Sequence, residues 1–263
     1  MNEYDAIMIG GGPSGASSAA VLAGYGHRVL VLERDKYPRY RIGESLIPFT
    51  YAPLERIGMI PKMRASGFTK KYSVCFVQPD GKASQPFYFY NRYDKDTVAQ
   101  TWQVTRAEFD VMMLDNAREK GAEVREETTV ERLLMEDGRV AGVVVREKDG
   151  TESEIRARIT LDCTGKDAFA SNKLGWREPD PYLNKFAVWT YYKGSKREPG
   201  LDEGQTTIAF VPDKGWFWHI PQHGDRISVG VVAEGKYLAR DGVRDPKEMM
   251  DREIEGNPWM RER

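Results

Sequence analysis

Ala6-Ile7-Met8-Ile9-Gly10-Gly11-Gly12-Pro13-Ser14-Gly15 opens the reading, and Arg28-Val29-Leu30-Val31-Leu32-Glu33 completes it. Residues 6–9 are a short apolar run of the kind a buried strand needs. The glycines break it, and residues 16–23, rich in Ala and Ser, suit a helix. Gly24 and Gly26 end that helix, and residues 28–33 form a second β-branched run. The unit is βαβ, with parallel neighbouring strands. Gly10, Gly12 and Gly15 fit G-x-G-x-x-G. The first permits a tight turn, the second lets backbone approach a pyrophosphate, and the third lets helix pack on strand. Glu33 ends the second strand, where such a unit places its ribose-binding acid. The helix N-terminus, with Pro13 and Ser14 in its first turn, offers N–H groups and a positive dipole end to phosphate.

Outward from this unit, residues 34–48 read as a loop and residues 53–58 as a short helix. Residues 72–77 and 86–90 read as aromatic strands, and 103–120 as a helix after a short lead-in, ended by Gly121. Residues 122–160 alternate as a strand meander, with turns at Asp137-Gly138 and Asp149-Gly150. Residues 186–232 are β-rich again, and the charged end, 240–263, reads as one helix.

The 263 residues suffice for one large or two small domains, and 40% apolar with 30% charged residues is ordinary for a globular protein. A formal net charge of -1 gives no argument for nucleic acid or an anionic membrane. Cys75 and Cys163 form no CxxC pair, and the three histidines form no HExxH, so no metal site is expected. No apolar run approaches the ~20 residues of a membrane span. The start, Met1-Asn2-Glu3-Tyr4-Asp5, lacks the basic region of a secretion signal, so a cytoplasmic protein is expected.

The strand-GGGPSG-helix-VLVLER pattern resembles the start of the FAD-dependent aromatic monooxygenase superfamily, folded like p-hydroxybenzoate hydroxylase. Two later segments resemble it too. Trp102-Gln103-Val104-Thr105-Arg106 with Phe109-Asp110 is similar to its "Arg-x-x-Phe-Asp" stretch, and Leu161-Asp162-Cys163-Thr164-Gly165 to its "D-A-T-G" turn. Three segments resemble the flavin-dependent halogenases within that superfamily. They are Arg39-Tyr40-Arg41-Ile42-Gly43-Glu44-Ser45-Leu46-Ile47-Pro48, Gly67-Phe68-Thr69-Lys70-Lys71-Tyr72-Ser73, and Trp216-Phe217-Trp218-His219-Ile220-Pro221.

The resemblance implies an α/β (α+β) architecture. A discontinuous Rossmann-like FAD-binding domain takes residues 1–62 and 100–175, and a β-rich substrate-side domain takes 63–99 and 176–263. The family's later Gly-Asp-Ala-Ala segment and Ser-Gly loop are not found, so the second domain is expected to be incomplete at its C-terminal end. FAD contacts are implied for Gly10, Gly12, Pro13, Ser14, Gly15, Glu33, Arg34, Arg41, Ile42, Gly43, Gln103, Arg106, Val130, Asp162 and Gly165. Alignment on Gly67-Phe68 puts the catalytic lysine at Lys71, with Glu44 and Ser45 near the isoalloxazine. Trp216 and Trp218, two apart on a strand, share a face. With Ile220 and Pro221 they form a substrate-side wall, near the flavin in the family.

The implied activity is FADH2- and O2-dependent halogenation of an electron-rich aromatic ring, through hypohalous acid directed by the lysine. Chloride or bromide is the co-substrate. No second G-x-G-x-x-G supports a nicotinamide site, so a separate NAD(P)H flavin reductase is the implied partner, beside a small aromatic substrate, free or carrier-tethered. The rival readings are an aromatic monooxygenase or a geranylgeranyl-reductase-like oxidoreductase, since fold does not fix function, and a flavin-binding remnant without activity.

Overall fold

The computed structural model describes residues 4–92, 99–212 and 215–263. Met1, Asn2 and Glu3, part of the stretch read for a secretion signal, lie outside the described residues, as do stretches of the expected β-rich domain at 93–98 and 213–214.

In chain order the elements are β1 (Tyr4–Ile9), α1 (Pro13–Gly24), β2 (Val29–Leu32), α2 (Tyr51–Arg56), α3 (Ile60–Ala65), β3 (Thr69–Lys71), β4 (Ser73–Val77), β5 (Phe87–Tyr88) and β6 (Thr101–Gln103). Next come α4 (Arg106–Glu119), β7 (Glu123–Arg125), β8 (Thr129–Glu136), β9 (Arg139–Arg146), β10 (Glu152–Asp162), α5 (Phe169–Lys173) and β11 (Lys185–Lys193). The last are β12 (Thr206–Val211), β13 (Gly215–Gln222), β14 (Arg226–Glu234), α6 (Gly235–Leu238), α7 (Pro246–Glu255) and α8 (Pro258–Arg261).

Contacts divide the chain into two compact units. The first holds Met1–Ile42, Ala52–Arg64 and Arg106–Glu178; the second holds Gly43–Tyr51, Ala65–Thr105 and Pro179–Arg263. The division falls between Ile42 and Gly43, inside the Arg-Ile-Gly-Glu-Ser motif.

In the first unit a six-stranded sheet runs β7-β2-β1-β10-β9-β8. β1 lies parallel to β2 and β10, while β8, β9 and β10 form the antiparallel meander. Ile7, Ile9, Leu30, Leu32, Val143, Val145 and Ile155 build its core. The β-branched residues suit a strand buried on both faces. α1 buries Ala16, Ala19, Ala20 and Ala23, small residues that let it lie close to its neighbours. It ends as Gly26 N–H donates to Ala23 O and His27 N–H to Leu22 O, with Gly26 at φ +84°.

In the second unit a six-stranded sheet runs β11-β14-β13-β12-β4-β5, and β3 pairs with β6 alone. Phe217, Ile227, Val229 and Val231 face a core shared with Leu238, Met249, Met250 and Trp259.

Three expected elements are corrected. The strand over 86–90 is only Phe87–Tyr88; Phe89 turns inward in a 3-10 turn and is buried. The helix over 103–120 begins at Arg106, because Thr101, Trp102 and Gln103 pair with β3. The single C-terminal helix is two, α7 and α8, broken at Gly256-Asn257-Pro258. The Asn257 side chain accepts from Met260 N–H at 3.1 Å and caps the second. Among the described residues no helix is long and apolar enough to cross a membrane.

Candidate functional site

The glycine turn between β1 and α1 is built as its spacing requires. Gly10 has φ +104°, and a Cβ there would sit 2.8 Å from Cys163 O. A Cβ on Gly15 would sit 1.9 Å from Gly10 O, so only glycine lets the helix close on the turn. A Cβ on Gly12 would meet only the tip of Arg39, at 3.5 Å. Gly12 therefore borders open space, as a backbone that receives a phosphate must. Pro13 opens α1, Ser14 is exposed, and no side chain caps the helix N-terminus among the described residues. This cradle fits a dinucleotide cofactor.

Glu33 is buried just after β2. It accepts hydrogen bonds from Gly11 N–H at 2.9 Å, Asp35 N–H at 2.9 Å and the Tyr37 hydroxyl at 3.1 Å. Arg39 lies 3.7 Å from the same carboxylate. Burial, with Glu33 beside it, raises the Tyr37 phenol so that it stays a donor. Asp110, fully buried, accepts twice from Arg106, at 2.7 and 2.9 Å, and once from Arg39, at 3.1 Å. Arg106 also donates to Ile42 O at 2.6 Å. Two guanidinium groups thus hold one carboxylate, an arrangement in which removing a partner costs roughly 3–5 kcal/mol.

The other residues expected at the cofactor are disposed as follows. Arg34 pairs with Asp167 at 2.7 Å and Arg41 with Asp35 at 3.5 Å, both part-exposed. Asp162 accepts from Thr164 N–H and hydroxyl, at 3.0 and 2.6 Å, and from Ala170 N–H at 2.7 Å, so it caps its own turn. Gly165 follows at φ +63°. The Val130 side chain packs in the sheet core beside Leu133.

A second constellation lies wholly in the second unit. Gly43, at φ +96°, turns the chain so that Ser45 bridges Gln103 of β6. Glu44 O accepts from Val104 N–H and Leu46 N–H donates to Trp102 O, so residues 44–46 flank β6 opposite β3. On β3, alternation sends the two lysines apart. Lys70 is exposed and lines a surface pocket of about 580 Å³ with Tyr72, Arg197 and His223; Lys71 is 3% exposed. Lys71 Nζ donates to Ser45 Oγ at 2.8 Å and Leu46 O at 3.1 Å, and stands 5.5 Å from the Phe89 ring. Burial lowers its pKa from 10.5 to about 8. Ser45 Oγ lies 2.8 Å from Thr206 Oγ1, which accepts from Gln103 Nε2 at 2.8 Å. Glu44, 2% exposed, accepts from the Tyr191 hydroxyl.

Trp216 and Trp218 share the half-buried face of β13, while Phe217 and His219 turn to the buried one. Trp218 Nε1 donates to Ser228 Oγ at 3.1 Å, and its ring lies where a Cβ on Gly230 would stand, 2.3 Å away. Ile220 and Pro221 are buried at the strand's end. Among the described residues no three His, Cys, Asp or Glu side chains cluster to hold a metal ion.

Sequence reasoning missed Tyr37, Arg39 and Asp110 as a network, and Thr206 altogether. Arg39 and Asp110 stand inside motifs already quoted, where their charge in an apolar context was the available signal. Thr206 carries no local signal.

A chain with this glycine turn, acid and mixed sheet is a dinucleotide-binding flavoprotein by class, and its residues 3–189 match the FAD binding domain family, to which it belongs. Over 231 residues it is 32% identical to the 1H-pyrrole-2-carbonyl peptidyl-carrier-protein brominase of Pseudoalteromonas luteoviolacea, covering 87% of this chain and 54% of the brominase. Its fold is similar to the myxobacterial chondrochloren halogenase CndH, an FAD-dependent halogenase, with TM-score 0.88 and 35% identity over 98% of this chain and 59% of that one. It is similar also to a flavoprotein/dehydrogenase of Cytophaga hutchinsonii, with TM-score 0.88 and 28% identity over 98% of this chain and 62% of that one. The chain spans about half the length of the curated relatives it matches.

Proposed function

We propose that the chain forms the flavin-holding and lysine-bearing part of a flavin-dependent halogenase acting on an electron-rich aromatic ring, free or carrier-tethered. The observation that carries the reading is Lys71: a buried lysine on two hydrogen bonds, with its proton affinity lowered by burial. An ion-paired or solvated lysine keeps its ordinary proton affinity or a raised one.

FAD would lie along residues 10–15 and Glu33, with Arg39, Arg41, Arg106 and Asp162 bordering it. When bound in reduced form, supplied by a separate flavin reductase, it provides the oxygen chemistry that turns chloride or bromide into hypohalous acid. Lys71 then does what its geometry allows. Its ammonium has three N–H donors, and Ser45 Oγ and Leu46 O take two. The third donates to the hypohalous oxygen. As the ring attacks the halogen, that donation stabilises the leaving hydroxide, which departs as water. Near pH 8 the free amine is also populated and opens a haloamine route. Glu44, fixed by Tyr191, is the carboxylate suited to take the ring proton.

The similarity to a flavoprotein/dehydrogenase keeps another flavin reaction as the second reading. The test supplies FAD, NADH, a flavin reductase, oxygen and bromide with mixed phenols, pyrroles and indoles, and reads products by mass spectrometry. Brominated product that vanishes in Lys71→Ala is the expected result. Hydroxylated product without bromine would move the assignment to a monooxygenase.

A further inference from the structure

We propose that Thr206 is a positioning residue for Lys71, acting through the Ser45 hydroxyl and anchored in turn by Gln103. The functional sense rests on Lys71 as the halogenating lysine; the geometry does not.

Four side chains form one line, buried except for the half-buried Ser45. Lys71 Nζ, Ser45 Oγ and Thr206 Oγ1 follow each other at 2.8 Å steps, and Gln103 Nε2 reaches Thr206 Oγ1 at 2.8 Å. Lys71, Thr206 and Gln103 are 3%, 7% and 0% exposed. The Gln103 amide can face only one way. Its other Nε2 hydrogen meets Gly204 O at 2.8 Å, and a carbonyl only accepts. Nε2 therefore donates to Thr206 as well, and Thr206 Oγ1 is fixed as an acceptor at that end. Gly204 lies close against β3, since a Cβ on it would sit 1.9 Å from Lys70 O.

The two hydroxyls between anchor and lysine serve both protonation states. With Lys71 as ammonium, Nζ donates to Ser45 and Ser45 donates to Thr206. With Lys71 as amine, Thr206 donates to Ser45 and Ser45 donates to Nζ. Only hydrogens turn; no heavy atom moves. Valine at 206 fills the same space, leaves the Gln103 N–H unpaired, and frees the Ser45 rotor that holds Nζ.

The test reads the lysine itself rather than turnover. In chain labelled with nitrogen-15 lysine, at mildly acidic pH, a held ammonium gives a slowly exchanging signal, assigned by its loss in Lys71→Arg. Thr206→Val should speed exchange of those protons about fivefold, the worth of one net hydrogen bond. Thr206→Ser should keep the parent rate, and Gln103→Leu should follow Thr206→Val. A folded Thr206→Val with the parent rate overturns the proposal. So does a parent whose Lys71 protons exchange as fast as those of exposed lysines. If Thr206→Val does not fold, Gln103→Leu at the parent rate overturns it equally. Normal bromination by Lys71→Ala would sink the proposed function while leaving this result standing.

Discussion

Lys71 destabilises the fold that buries it, and the sign of that effect is testable. Its proton affinity falls from the ordinary 10.5 to about 8 on folding, through burial. Below pH 8 folded and unfolded chains both carry the charge, and the full penalty is present. Between about 8 and 10.5 the unfolded chain keeps a proton that the folded chain has lost, so stability rises with pH. Above 10.5 no penalty remains. Lys71→Met removes the titration. Its stability advantage over the parent should therefore shrink by about 3 kcal/mol from neutral pH to beyond 10.5, measured by urea midpoints across that range. A difference that stays constant with pH would mean the lysine is not buried as described. At this scale legibility depends on distance along the chain. Gly10, Gly12, Gly15 and Glu33 lie within one βαβ unit, where spacing alone exposes them. Ser45 meets Thr206 across 161 residues and Glu44 meets Tyr191 across 147. Such pairs depend on strand register, which a one-residue slip inverts, and no local pattern announces them.

The β1-α1 turn separates two roles that glycine plays within one element. At Gly15 the obstacle to a side chain is backbone, Gly10 O at 1.9 Å; at Gly12 it is the far end of Arg39 at 3.5 Å. Gly15→Ala should therefore damage the fold itself, by more than about 3 kcal/mol, because helix and turn must part. Gly12→Ala should melt within a few degrees of the parent and yet bind FAD about tenfold or more weakly. Thermal unfolding and flavin fluorescence titration read the two effects separately. Parent-like FAD affinity in Gly12→Ala would remove the turn from the cofactor site. This element was legible because strand, glycines and helix agree locally. The start of α4 was not: Thr101, Trp102 and Gln103 are compatible with helix, and pairing with β3 drew them into a strand. The break between α7 and α8 had a readable signal in Asn257-Pro258, a cap followed by the residue best suited to a first turn.

On the scale of the molecule, the chain passes between its two units several times, and composition does not mark the crossings. Gly43 to Tyr51 joins the second unit although the segments on both sides belong to the first. A break in apolar pattern signals an element's end, not a change of sheet, so the excursion of Gly43–Tyr51 carries no local signal. The glycine turn and its acid fall in the first unit, and Lys71, Ser45, Gln103 and Thr206 in the second. The proposed halogenase needs both constellations, whereas another flavin reaction needs only the first. The source of the flavin's electrons decides between them. A halogenase of the proposed kind receives reduced flavin from another protein, whereas an aromatic monooxygenase takes hydride from a nicotinamide at its own site. On the halogenase reading the chain needs no hydride site of its own. The chain loaded with FAD should therefore keep its oxidised visible absorbance under anaerobic NADH or NADPH, no faster to bleach than free FAD, and lose it when a flavin reductase is added. Rapid bleaching by nicotinamide alone would show a hydride site in this chain, and the monooxygenase reading would replace the halogenase one even if Lys71 proved essential.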